Sequence, residues 1–303
     1  MTLQCLRPTL LLVIWLTISG ACLAQNTDRS KNDLFGRKHR PGESYSYRLT
    51  IEEFHGGGWD HTNIAECELK VVVDSAGIPY DEVRWVSMKV LRPKDSSALD
   101  MKANAVTPYR ISLNPGGKID LPRIGVPEMT EPIQDFNTFF VAVSPLVGIS
   151  GLKNISDSFV IKDPVKADFS NGAAILKGED CIAITVRLKD LTREKAMLYT
   201  SFFPANHSCL SFLLPEMNTP VVGDTVNNFQ MVLQMSPDKY LVQFGRELFY
   251  INSTIRRSDG KITDASMFNR LDLKMKINCD KDYKSCQMEM PFSEERKLKL
   301  ELL

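Results

Sequence analysis

His55, Asp60 and His61 stand within seven residues of one another beside Gly56-Gly57-Gly58 and could form half of a metal site, the two imidazoles being its first two ligands. No spacing elsewhere in the chain supplies a third and fourth ligand, so the pair reads as surface histidines at a turn, and neither a metal nor another cofactor is expected. Five cysteines follow position 24: Cys67, Cys181, Cys209, Cys279 and Cys286. The number is odd, so at least one thiol stays unpaired, and none are spaced Cys-x-x-Cys, which argues against a zinc knuckle or a redox dithiol. Cys279 and Cys286 flank the polar, turn-like run 280–285 between two alternating strands, and are expected to close it as a disulfide. Cys181 and Cys209 are the next pair, which leaves Cys67 free.

The string His55-Gly56-Gly57-Gly58-Trp59 resembles the oxyanion-hole loop of the lipase and esterase branch of the α/β-hydrolases, and Asp74-Ser75-Ala76-Gly77 resembles that branch's nucleophile turn. The resemblance implies backbone donors at Gly57 and Gly58 and Ser75 as nucleophile, with His207 the only later histidine that could be the base, so that Ser75, His55 and His207 are the residues to examine. Local chemistry opposes it. Val73 occupies the position where the turn needs glycine, Gly77-Ile78-Pro79 begins a turn where a helix should start, and the two strings are too close for an intervening strand and helix. A flexible hairpin loop is the ordinary reading of the triple glycine, and no catalytic residue is assigned.

These groups must be held by strands. Period-two alternation marks 44–54, 66–73 and 83–91, then short strands at 109–113 and 118–121 around the turn Asn114-Pro115-Gly116-Gly117. It resumes at 173–176, 181–188, 197–203, 208–214, 229–234, 240–244, 248–256 and 261–268, and is cleanest at 271–277 and 298–302, where Leu, Met and Ile alternate with Asp, Lys and Glu. One segment has a different period. Ile133, Phe136, Phe139, Phe140, Val143 and Val147 recur at three- and four-residue spacing, which predicts a single helix of about four turns, capped by Thr130, with its aromatic face on a sheet.

The fold expected is mainly β (α+β): a strongly curved antiparallel sheet or open barrel with one packed helix, in a single domain over 41–303. Residues 1–24 read as a signal peptide cut after Ala24, with lipidation at Cys22 the lesser alternative, and 25–40 as a flexible leader. The 37 basic and 37 acidic residues cancel, so no global field gathers nucleic acid, and the Lys-dense polar face speaks against a membrane barrel. Asn154, Asn206 and Asn252 head glycosylation triplets that matter only in a eukaryotic source.

Asn228-Phe229-Gln230, Phe244-Gly245-Arg246-Glu247 and Ser258-Asp259-Gly260-Lys261-Ile262 resemble segments of uncharacterised exported bacterial envelope proteins. The strand, helix, strand order is similar to the open half-barrel of periplasmic lipoprotein carriers, which implies a hydrophobic cavity under a curved sheet. The expectation is therefore a periplasmic or secreted, non-enzymatic protein that binds an apolar ligand, a lipid or a lipidated partner in the sheet's concavity, lined by Trp85, Ile133, Phe136, Phe140 and Val143. A structural or interaction protein of the envelope with a solid interior is the alternative, and the sequence leaves the oligomeric state open.

Overall fold

A computed structural model describes residues 35–111, 125–143, 151–161, 184–204 and 212–303. The first three strands form a meander, β1 (Ser44–His55), β2 (Gly58–Val73) and β3 (Pro79–Arg92). Gly56 and Gly57, both at positive φ, make the first hairpin turn. Asp74 makes the second by accepting the Ala76 and Ile78 amides at 2.9 and 2.8 Å. Next come β4 (Asp95–Ala98), α1 (Asp100–Asn104), β5 (Tyr109–Ile111) and α2 (Thr130–Ala142). The rest is strand: β6 (Ser158–Ile161), β7 (Ile184–Leu191), β8 (Lys195–Phe202), β9 (Phe229–Ser236), β10 (Lys239–Arg256), β11 (Ile262–Cys279) and β12 (Met288–Leu302).

All pair antiparallel in one curved, open sheet of order β4-β3-β2-β1-β12-β11-β10-β8-β7-β6, with β5 beside β3 and β9 beside β10. The first strand pairs with the last, Tyr47 opposite Leu302 through His55 opposite Glu294, so the end of the chain completes the middle of the sheet. The fold class read from the alternation is the one observed.

Strand parity decides what each face does. On the inner face, which α2 covers, Leu49, Leu300 and Ala265 form one cross-strand row and Ile51, Leu298, Met267 and Ile251 the next. These side chains join Tyr47, Trp85 and the Ile133, Phe136, Phe139 and Phe140 stripe of α2 in the main core. A smaller core lies on the outer face, where Val242 and Phe244 have the opposite parity. It is covered by the 3₁₀ turn Pro215–Asn218 and closed by Cys279.

Several elements differ from the expectation. The segments 240–244 and 248–256 run as the single strand β10, and 261–268 and 271–277 as β11. At the junction, a Cβ on Gly245 would lie 2.3 Å from the Asp272 carbonyl oxygen, so only glycine lets the two strands stay in contact there. Asn228 bridges the gap between β9 and β8 by accepting the Glu247 amide at 2.7 Å and donating to its carbonyl at 2.9 Å. Residues 212–214 form a bend instead of a strand, and β4, α1 and β6 are additional.

Helix α2 starts at Thr130 after a 3₁₀ turn, Pro127–Met129, and has no side-chain cap. Residues 35–40, assigned to the leader, pack on the fold. Arg37 reaches Asp81 at 3.2 Å, and a Cβ on Gly260 would collide with the Gly36 carbonyl at 2.5 Å. The expected strands at 118–121 and 173–176, together with Val147, Cys181, Cys209 and His207, lie outside the described residues.

Candidate functional site

The apolar rows of the inner face give way abruptly to ionisable ones. Beyond Ile51 and Leu298, the next row is His61 on β2, Glu53 on β1, Arg296 on β12, Asn269 on β11 and Phe249 on β10. The row after that is His55, Glu294, Leu271 and Glu247. Helix α2 adds Glu131 and Asp135 from its first turns. Arg296 Nη2 donates to both, at 2.6 Å to Glu131. Five carboxylates thus gather around one guanidinium where the sheet meets the start of the helix.

Burial sets the electrostatics. Desolvation, with Glu131 alongside, pushes Glu53 up to about 9, and desolvation raises Asp135 to about 6. Glu294 and Glu247 are raised for the same first reason. Burial opposes the charge of Arg296, but Asp135, Glu131 and Glu53 outweigh it and the guanidinium stays charged. On the rim, the hydrogen bond from His61 Nδ1 at 2.8 Å holds Asp60 below its ordinary value.

The inner face does not end at these rows. Strands β9 to β12 run on past the β1–β2 hairpin, and the same parity places a third surface there. Phe292, Leu273 and Phe229 come first, then Met290, Met275, Gln243 and Met231, then Met288, Ile277 and, on β10 and β9, Leu241 and Leu233. Gln243 Nε2 lies 3.5 Å from Met275 Sδ, so both side chains rise from one face. Met288 is 52% exposed and Met290 40%. On the opposite face the small core covers β9 and β10, while β11 and β12 carry the ion pairs of Lys274 and Lys276 with Glu289.

The residues expected to line a cavity are Trp85, Ile133, Phe136, Phe140 and Val143, and all lie in the main core with exposures from 0% to 4%. They interlock: Phe136 stands 5.4 Å from Trp85 and 4.7 Å from Phe140, ring centre to ring centre. Cys279 and Cys286 form the expected disulfide, and Cys67 is free and buried. Burial drives the Cys67 thiol well above its ordinary value, which leaves it inert.

Ser75 and His55 lie at opposite ends of β2, roughly 50 Å apart at 3.3 Å per residue. His55 is thus out of reach of Ser75, and His207 lies outside the described residues. His61 meets Glu53 and Glu131, and His55 meets Glu53 and Glu294, carboxylates that sequence spacing could not supply because they come from three separate elements. The partly exposed Met-rich face also escaped the sequence reading. Its alternation was visible, but nothing local says which face another segment covers.

No helix among the described residues is long and apolar enough to cross a membrane. No family model matches this chain, and no curated protein matches it. A solved structure, of lipid–protein interactions in lipovitellin, overlays 87% of this chain with a TM-score of 0.42 at 13% identity. The overlay takes in 25% of that protein, so this chain spans about a quarter of its length. A similarity of that size does not carry a function.

Proposed function

We propose that this chain is an exported, non-enzymatic protein that holds an apolar ligand, the acyl chains of a lipid or of a lipidated partner, in the concavity of its sheet. The observation that carries this reading is the Met-rich inner face of β9 to β12. It stays partly exposed while the other face of β9 and β10 is packed in the small core. Contiguous exposed apolar surface of this kind marks binding sites, and unbranched methionines adapt to chains of varied shape. Trp85, Ile133, Phe136, Phe140 and Val143 would be met only by a ligand that reaches beneath α2. Export is supported by the signal-like residues 1–24 and by a disulfide that persists in oxidising compartments.

Native mass spectrometry and lipid extraction of the full chain purified from its host test the reading. Bound acyl species are expected, with occupancy falling at least tenfold in a Met275→Asp, Met290→Asp double variant of unchanged circular dichroism. Wild-type protein free of lipid, or a double variant that retains its load, would refute it. A concentration-dependent dimer that buries this face would instead support an interaction protein.

A further inference from the structure

The ionisable cluster contains a feature independent of the apolar face. Arg296 spends its Nη2 on Glu131 and Asp135. Glu53 and Glu294 turn Oε1 toward Arg296 Nε, at 3.6 and 3.9 Å. Their Oε2 atoms face away from it, Glu53 toward His61 Nδ1 at 3.6 Å and Glu294 toward His55 Nε2 at 3.7 Å. All four separations exceed a hydrogen bond. The Glu53 side chain is only 8% exposed and faces a second carboxylate, Glu131, while Arg296 Nε and His61 Nδ1 both stand beyond hydrogen-bond distance of it. Such a group must hold a proton or a cation.

The donors are spaced for a cation. One donor atom each of Glu53, His55 and Glu294 lie within 4.8 Å of one another. Donors bonded at about 2.1 Å to a tetrahedral ion stand about 3.4 Å apart. The 3.7 Å between His55 Nε2 and Glu294 Oε2 is already near that value, and Glu53 has to close by at most about 1.4 Å. Behind His55, the other ring nitrogen faces Asp60 Oδ2 at 3.8 Å, and closing to hydrogen-bond distance would make Asp60 the outer carboxylate that orients a ligating imidazole. His61 is committed elsewhere, since its Nδ1 donates to Asp60 and its Nε2 accepts from Asn63 at 3.2 Å. It fixes Asp60 rather than offering a free donor.

We propose that Glu53, His55 and Glu294 bind one divalent transition-metal ion of the zinc type, with Asp60 and His61 as positioning residues. One nitrogen and two carboxylate oxygens suit zinc better than calcium, which takes six to eight oxygens. The fourth position would open beside Phe292, whose ring lies 5.8 Å from that of His55.

The full chain is stripped with a chelator and titrated with zinc chloride by calorimetry, with calcium chloride in parallel. One zinc per chain is expected, with affinity falling at least thirtyfold in His55→Ala and the melting curve confirming that the variant folds. Should that variant unfold, the wild-type protein is crystallised with zinc and its anomalous peak located, expected about 2.1 Å from His55 Nε2. The absence of binding up to millimolar zinc, tighter binding of calcium, an unaltered folded His55→Ala, or a peak away from His55 would each overturn the proposal. None of these outcomes bears on the apolar face, whose test reads lipid.

Discussion

Glu53 shows how placement turns an ordinary side chain into a sensitive one. Its folded-state value, near 9, lies above its ordinary 4.5, so the folded chain binds a proton that the unfolded chain releases across that window. Stability contributed by the protonated form is therefore full below about pH 4.5 and is lost as pH rises toward 9. Asp135 acts in the same direction between 3.8 and about 6. Metal-free protein should melt at progressively lower temperature from pH 5 to pH 9. Glu53→Gln should flatten that slope and stabilise by on the order of 2 kcal/mol at pH 8. A wild-type melting temperature that rises over this range would contradict the assignment. Gly245 makes a second residue-level case. Gly245→Ala forces a Cβ against the Asp272 carbonyl and should cost about 2–5 kcal/mol in urea unfolding, and a loss below 1 kcal/mol would mean that the strands separate freely there.

At the scale of elements, the helix was legible because three-and-four spacing of Ile133, Phe136 and Phe140 has no counterpart in a strand. Its role was not legible, because a stripe that lines a cavity and one that fills a core have the same period. Phe136→Ala should cost about 3–5 kcal/mol, the value for a fully packed aromatic. A cost under 1 kcal/mol would place Phe136 in a void. The Cys279–Cys286 bridge was readable since both partners flank one local turn. Its loss in Cys286→Ser should lower stability by about 2.5 kcal/mol in the chain-entropy model. By contrast, Glu53, Glu131 and Glu294 come together only through the pairing of β1 with β12 and the docking of α2, and neither leaves a mark in local sequence.

The whole molecule is a sheet whose two halves are covered on opposite faces, the inner by α2 and the outer by the segment around Pro215–Asn218. Alternation along β9 to β12 revealed two-faced strands, while the choice of covered face is a tertiary outcome set by where distant segments return. That choice leaves the Met-rich surface partly exposed and places the ionisable cluster at its border. If the chain is exported as proposed, the mature protein should begin at Gln25, which N-terminal sequencing of protein from the host would show. The most direct test of apolar binding is photolabelling of the intact protein with a fatty acid that carries a diazirine on its chain, followed by peptide mapping. Label concentrated on Met231, Met275, Ile277, Met288 and Met290 is predicted. Label confined to the outer face, or none above the level of denatured protein, would contradict the account.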